Sequence, residues 1–144
     1  MRAQPLLRST TQRTAIRRSL YQADRPLSPE EVREAAQHEA PNLGLATVYR
    51  TLKGLVAEGW LVPVELPSQP TRYEVAGKHH HHHFHCRACG QVFEVPGCPQ
   101  DLSTLTPPGF RLEAHEVILY GRCPPCDGPM PSAPRKARAA RGSR

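Results

Sequence analysis

Two C-x-x-C pairs, Cys86 with Cys89 and Cys123 with Cys126, carry the clearest chemistry in the chain. A histidine run, His79 to His83 and then His85, leads straight into the first pair. Zinc takes four thiolates tetrahedrally, and each C-x-x-C knuckle presents two sulfurs from one tight turn. Cys86, Cys89, Cys123 and Cys126 therefore read as one structural zinc site. The histidines cannot all serve that same ion, so at least one further metal site is expected. If His79 to His85 is extended, side chains alternate between two faces. His79, His81, His83 and His85 share one face; His80 and His82 share the other. Histidines at i and i+2 can chelate one ion, so the run can feed two sites. The acids available to complete them are Glu74, Glu94 and Asp101, and a later strand pattern, Phe110 to Leu119, contains His115. Cys98 has no sequence partner and reads as an ordinary thiol, a metal or redox role being the minority alternative. Loose metal buffering is the bland alternative for the histidines.

At 144 residues the chain holds one domain or two small ones, and a metal staple suits so small a core. The formal charge is +6 and the pI near 9.4. Arg135, Lys136, Arg138, Arg141 and Arg144 supply five of those charges, which leaves the body near +1. The segment 131–144 lacks apolar periodicity and reads as a disordered basic tail, either solubilising or in salt-sensitive contact with nucleic-acid phosphates. No apolar stretch is long enough for a bilayer, and no apolar core marks a signal peptide. The expectation is a cytoplasmic, reducing location without membrane contact, where thiolates bind metal rather than pair as disulfides.

The elements that position these groups begin with three helical patterns. The first spans about Thr11 to Ala23, with Ile16, Leu20 and Ala23 on one side and Arg13, Arg17 and Arg18 as basic charge. The second opens at Ser28, an N-cap followed by Pro29 and completed by Glu31 as a capping box. Val32, Ala35 and Ala36 form its inner face. The third runs from about Ala46 to Glu58 and stops at Gly59. Its apolar side is Val48, Leu52, Leu55 and Val56, so Tyr49, Arg50 and Lys53 fall away from the core. Trp60 to Val64 and Arg72 to Val75, about a turn at Pro67 to Pro70, predict a β-hairpin. Three helices and a hairpin define a winged helix-turn-helix, whose third helix enters the DNA major groove. Thr47, Tyr49, Arg50 and Lys53 are the candidate DNA contacts. The competing reading is a small helical domain with a solvated basic face.

Gly44-Leu45-Ala46-Thr47-Val48-Tyr49-Arg50 resembles the recognition-helix signature of the ferric uptake regulator family. His79 to Gly90 resembles that family's histidine run joined to its first zinc knuckle, and Gly121 to Cys126 resembles the second knuckle. The resemblance covers roughly Leu7 to Cys126. It implies an α+β protein: an N-terminal winged helix-turn-helix domain, then a small α/β dimerisation domain with a four-cysteine zinc site. The expected boundaries are 1–76 for DNA binding, 77–79 for the hinge, 80–130 for metal binding and dimerisation, and 131–144 for the tail. It also implies a cytoplasmic homodimer on an A·T-rich inverted repeat. By motif position, Glu74, His81, His83 and Glu94 would line a sensing site between the domains. His80, His82, Asp101 and His115 would line a second site. Pro26 stands where many members carry a histidine, Ala76 where zinc-sensing members often carry a cysteine, and Glu65 is a substitute donor near the hinge.

The expected function is a metal-dependent transcriptional repressor of metal homeostasis genes. Zinc is the structural ion and the favoured regulatory one, with manganese or ferrous iron as alternatives. A zinc-dependent hydrolase is the first rival, but the H-E-x-x-H helix and the H-x-E with P-C-x-x-C pattern are missing. A metal-buffering protein is the second; it leaves the outward Tyr49 and Arg50 unexplained.

Overall fold

Ser28 shows how local sequence sets the architecture. Its hydroxyl accepts from the Glu31 N–H, and the Glu31 carboxylate accepts from the Ser28 N–H. That reciprocal box, with Pro29 at the first helical position, starts helix α2 (Pro29–Ala36). The computed structural model describes residues 5–128, and side chains from Thr10 onward. Helix α1 (Pro5–Ala23) begins at Pro5 rather than near Thr11. Helix α3 (Leu45–Ala57) ends at Glu58, and Gly59 follows at φ 75°, a left-handed turn that favours glycine.

Ile16 and Leu20 from α1, Val32 and Ala36 from α2, and Val48, Leu52 and Leu55 from α3 close one apolar core. Two salt bridges, Arg13 to Glu58 and Arg18 to Glu39, tie the helices at the surface. Arg17 instead lies over the Trp60 ring, 4.6 Å from its centroid. Strands β1 (Leu61–Val64) and β2 (Arg72–Val75) pair antiparallel, Leu61 opposite Val75 and Val64 opposite Arg72. A bridge between Leu27 and Tyr73 sews this wing to the turn before α2.

The second sheet has the order β4-β3-β5, with β3 (His81–Cys86) in the centre. β4 (Val92–Pro96) runs antiparallel to it, His83 opposite Glu94. β5 (Ile118–Gly121) runs parallel to it, Cys86 opposite Gly121. A Cβ on Gly121 would come 2.9 Å from the Phe84 ring, so only glycine lets β5 lie this close. A one-turn helix, α4 (Pro124–Asp127), follows Cys123. Val64, Leu66, Val92 and partly buried Ile118 join the wing to this sheet.

The expected strand from Phe110 to Leu119 is mostly absent: only its end enters β5. The alternation continues upstream, but the parallel register sets Ile118 opposite His83, so residues before about Glu116 run past His81, where β3 begins, and have no ladder to join. Phe110 and Leu112 are consequently exposed. The segment around Asp101 to Leu105 forms only a 3-10 turn, Ser103–Leu105. The basic tail, 131–144, lies outside the described residues. No helix among those described is long and apolar enough to cross a membrane.

Candidate metal centres and nucleic-acid interface

The parallel pairing of β3 with β5 puts Cys86 opposite Gly121, two residues before Cys123. The knuckles therefore meet at one end of the sheet. Each is a tight turn: the Gly90 N–H donates to the Cys86 carbonyl at 2.8 Å, and the Cys126 N–H to the Cys123 carbonyl at 2.9 Å. Gly90 sits at φ 75°, which lets the first knuckle close. The four sulfurs lie within 4.8 Å of one another. Cys89 and Cys123 are 3.8 Å apart. Zinc–sulfur bonds of about 2.3 Å in a tetrahedron separate sulfurs by about 3.8 Å, so the spacing fits zinc. Backbone N–H groups of Cys89 and Cys123 pull the Cys86 thiol down to about 6. Its close contact with Cys123, with burial, pushes Cys126 up to about 12.

The second cluster is Glu74, His81 and His83. Glu74 is on β2, and its carboxylate is 5% exposed. Its oxygens lie 3.0 Å from His81 Nε2 and 3.4 Å from His83 Nε2. His81 Nδ1 donates to the His79 carbonyl at 2.8 Å. Both nitrogens of His81 therefore face acceptors, and Nε2 needs a proton or a cation. Burial alone would raise the Glu74 carboxyl, but His83 and His81 hold it below the ordinary carboxylate range. Burial likewise pushes His81 down, and the His79 carbonyl with Glu74 and Glu94 pulls it above its usual value. The fixed tautomer and the buried carboxylate suit a divalent ion.

Glu94 does not join this cluster. It stands opposite His83 in the ladder, but its carboxylate takes the Lys78 ammonium at 2.6 Å. Lys78 also reaches Asp24 at 3.0 Å. The lysine, three residues beyond β2, thus ties the end of α1 to β4. Sequence patterning gave no sign of it, because a lone lysine between Gly77 and a histidine run has no period. Glu65 lines the same pocket of about 290 Å³ as Glu74, Lys78 and the histidines. Pro26 is fully buried and offers no donor.

The third cluster is on the opposite face, as the alternation requires: His80, His82 and His115, with Cys98. Asp101 is not part of it. Its carboxylate accepts from the Ser103 N–H at 2.9 Å and from the Ser103 hydroxyl, and so caps the 3-10 turn. An aspartate two residues before a turn is drawn to those N–H groups, a local competition that motif position does not register. Cys98 was the donor that sequence reasoning set aside. Its register near His80 depends on the β3–β4 pairing, which spacing alone does not reveal.

On α3, Tyr49, Arg50 and Lys53 are exposed and Thr47 half-exposed, opposite buried Val48, Leu52 and Leu55. Arg50 donates to the Thr47 hydroxyl at 3.2 Å, which holds the guanidinium along the helix face.

A winged helix joined to a sheet that carries three separate metal-ligand clusters defines the class: a metal-binding winged-helix protein. The pattern of the Ferric uptake regulator family matches residues 5–120, and the chain belongs to that family. It is 34% identical over 126 residues to a ferric uptake regulation protein of Campylobacter jejuni, covering 84% of this chain and 80% of that one. It is 32% identical over 123 residues to the zinc uptake regulation protein of Mycobacterium tuberculosis, covering 83% and 95%. The fold matches the Helicobacter pylori ferric uptake regulator with a TM-score of 0.62 at 27% identity, covering 82% and 81%; that structure is described as revealing three functional metal-binding sites. Iron- and zinc-named relatives thus match at nearly equal identity.

Proposed function

We propose that the protein is a metal-dependent transcriptional repressor that binds an A·T-rich inverted repeat as a homodimer. One observation carries this reading: Glu74 on the wing and His81 and His83 on the central strand converge across residues 77–79. A divalent ion held there supplies a bond between the DNA-binding wing and the second sheet. The chain's own residues do the rest. Glu74 ties β2 to β3, Lys78 holds the hinge to α1 and β4, and α3 presents Thr47, Tyr49, Arg50 and Lys53 to the major groove. Wings fixed at one separation match half-sites on one face of the duplex. Metal and DNA binding are then coupled reciprocally, by about 1–3 kcal/mol.

Leu105, Phe110 and Leu112 are exposed about a pocket of about 400 Å³. Such an apolar surface supports the expected dimer contact. The four cysteines take structural zinc; zinc is favoured for regulation, with manganese and ferrous iron as alternatives. The four-sulfur cluster leaves no ligand position for a substrate, which argues against a hydrolase at that centre.

Glu94 can join the sensing face only by leaving Lys78. Lys78→Met should therefore raise metal affinity there by roughly fivefold, since a partly exposed ion pair is worth about 1 kcal/mol. Metal titration by competition with a chelating dye reads this, and an unchanged affinity removes Glu94 from the ligand set. Arg50→Ala tests the interface. Loss of about 1–3 kcal/mol with relaxed base preference is expected if Arg50 reads a base. An equal loss on every duplex makes it a phosphate contact, and no loss removes α3 from the groove.

A further inference from the structure

We propose that Cys98 is a metal ligand, completing with His80, His115 and His82 a three-nitrogen, one-sulfur centre that prefers zinc to manganese. The proposal rests on the reading of this histidine face as a metal site and specifies its fourth donor.

The ladder explains how Cys98 arrives there. Pro96 is opposite His81, the last pair of β3 with β4. Gly97 then turns the chain at φ 90°, a left-handed conformation that glycine adopts without strain. Cys98 thereby lands beside the start of the histidine strand. Its Sγ is 2.8 Å from His115 Nε2, and His80 Nε2 is 3.2 Å from that same nitrogen. The donor atoms of His80, His82, Cys98 and His115 lie within 4.8 Å of one another.

Protons alone do not satisfy this group. His115 Nε2 has one in-plane position and faces two partners. His82 is 3% exposed, and its Nε2 has no hydrogen-bond partner among the described residues. Its ring packs 4.7 Å from His80 and 5.0 Å from His115, centroid to centroid. A buried, unpaired imidazole nitrogen is costly unless something binds it. His82 Nδ1 accepts from the Val117 N–H at 3.1 Å, so a neutral ring keeps its proton on Nε2. To ligate, His82 must release that proton or the Val117 bond; His80, His115 and Cys98 carry no such constraint.

Distances fit a tetrahedral ion with small adjustments. Zinc bonds of about 2.0–2.1 Å to nitrogen and about 2.3 Å to sulfur separate two nitrogens by about 3.3 Å and nitrogen from sulfur by about 3.6 Å. The His80–His115 spacing is already there; Cys98, exposed at a turn, must move back by about 0.8 Å to reach that N–S separation. Asp101, the carboxylate expected at this site, is engaged by Ser103. Exchanging an oxygen donor for a thiolate shifts preference toward zinc and cobalt and away from manganese, which favours oxygen.

The test uses full-length protein that retains its cysteine-cluster zinc, titrated with cobalt(II) while zinc release is monitored. A near-ultraviolet thiolate-to-cobalt charge-transfer band should grow without zinc loss, vanish in Cys98→Ser and persist in Asp101→Asn. By competition, Cys98→Ser should weaken zinc at this site by at least about tenfold, since even residues outside the ligand set cost that much. Peptide mapping after alkylation should show zinc, but not manganese, protecting Cys98, with protection lost in His115→Ala. Cobalt uptake without the band, or alkylation of Cys98 indifferent to zinc, overturns the cysteine ligand and leaves the metalloregulator reading standing. No uptake of any divalent ion beyond the cysteine-cluster zinc overturns both.

Discussion

Cys86→Ser protein is expected to lose one zinc per chain and much of the stability of its second sheet. Cys86 is fully buried, ends β3, pairs with Gly121 of β5 and accepts the Cys123 N–H at 3.3 Å. The same residue thus closes the ladder and anchors both knuckles. Structural zinc in small domains contributes on the order of 10 kcal/mol of apparent binding free energy. The apolar cluster on this side is small, Val64, Leu66 and Val92 with Ile118, and cannot replace such a contribution. Zinc content and thermal unfolding of the purified variant check this. Retention of both zinc and melting behaviour would remove the four-cysteine assignment.

The second large effect separates the two faces of the histidine strand. His81→Ala with His83→Ala should abolish metal-dependent DNA binding, because Glu74 joins only that face to the wing. His80→Ala with His82→Ala should leave that response in place and weaken it, through the segment that Val117 leads into β5. Both variants should keep the cysteine-bound zinc. Titration of each with zinc, manganese and ferrous iron, read by duplex binding, distinguishes them. Identical responses would mean that the strand does not divide its ligands by face.

Much of this arrangement was legible in the sequence because it is written in short periods. The capping box at Ser28, the 3.6-residue pattern behind Tyr49 and Arg50, the hairpin turn and the alternation of the histidines each depend on neighbours in the chain. Both C-x-x-C turns are equally local. Most of what escaped depends on long-range contacts, Asp101 being the local exception. Cys98 meets His115 only because β4 pairs antiparallel with β3 while β5 returns parallel beside it. Asp101 was expected at that site on motif position, yet its carboxylate accepts from the N–H of Ser103, two residues away. Glu94 was expected on the sensing face, where the ladder indeed sets its backbone opposite His83, but Lys78 takes its carboxylate. The strand expected from Phe110 stops short because its upstream residues run past the start of β3, a register that no alternation pattern encodes.

The central claim is that a divalent ion makes this protein a sequence-specific DNA binder. Selection of duplexes from a randomised pool, run in parallel with zinc and with chelator mild enough to spare the cysteine cluster, tests it most directly. The account predicts enrichment of an A·T-rich inverted repeat only in the presence of the ion. Enrichment of the same sequence with chelator, or of no sequence in either arm, would contradict it.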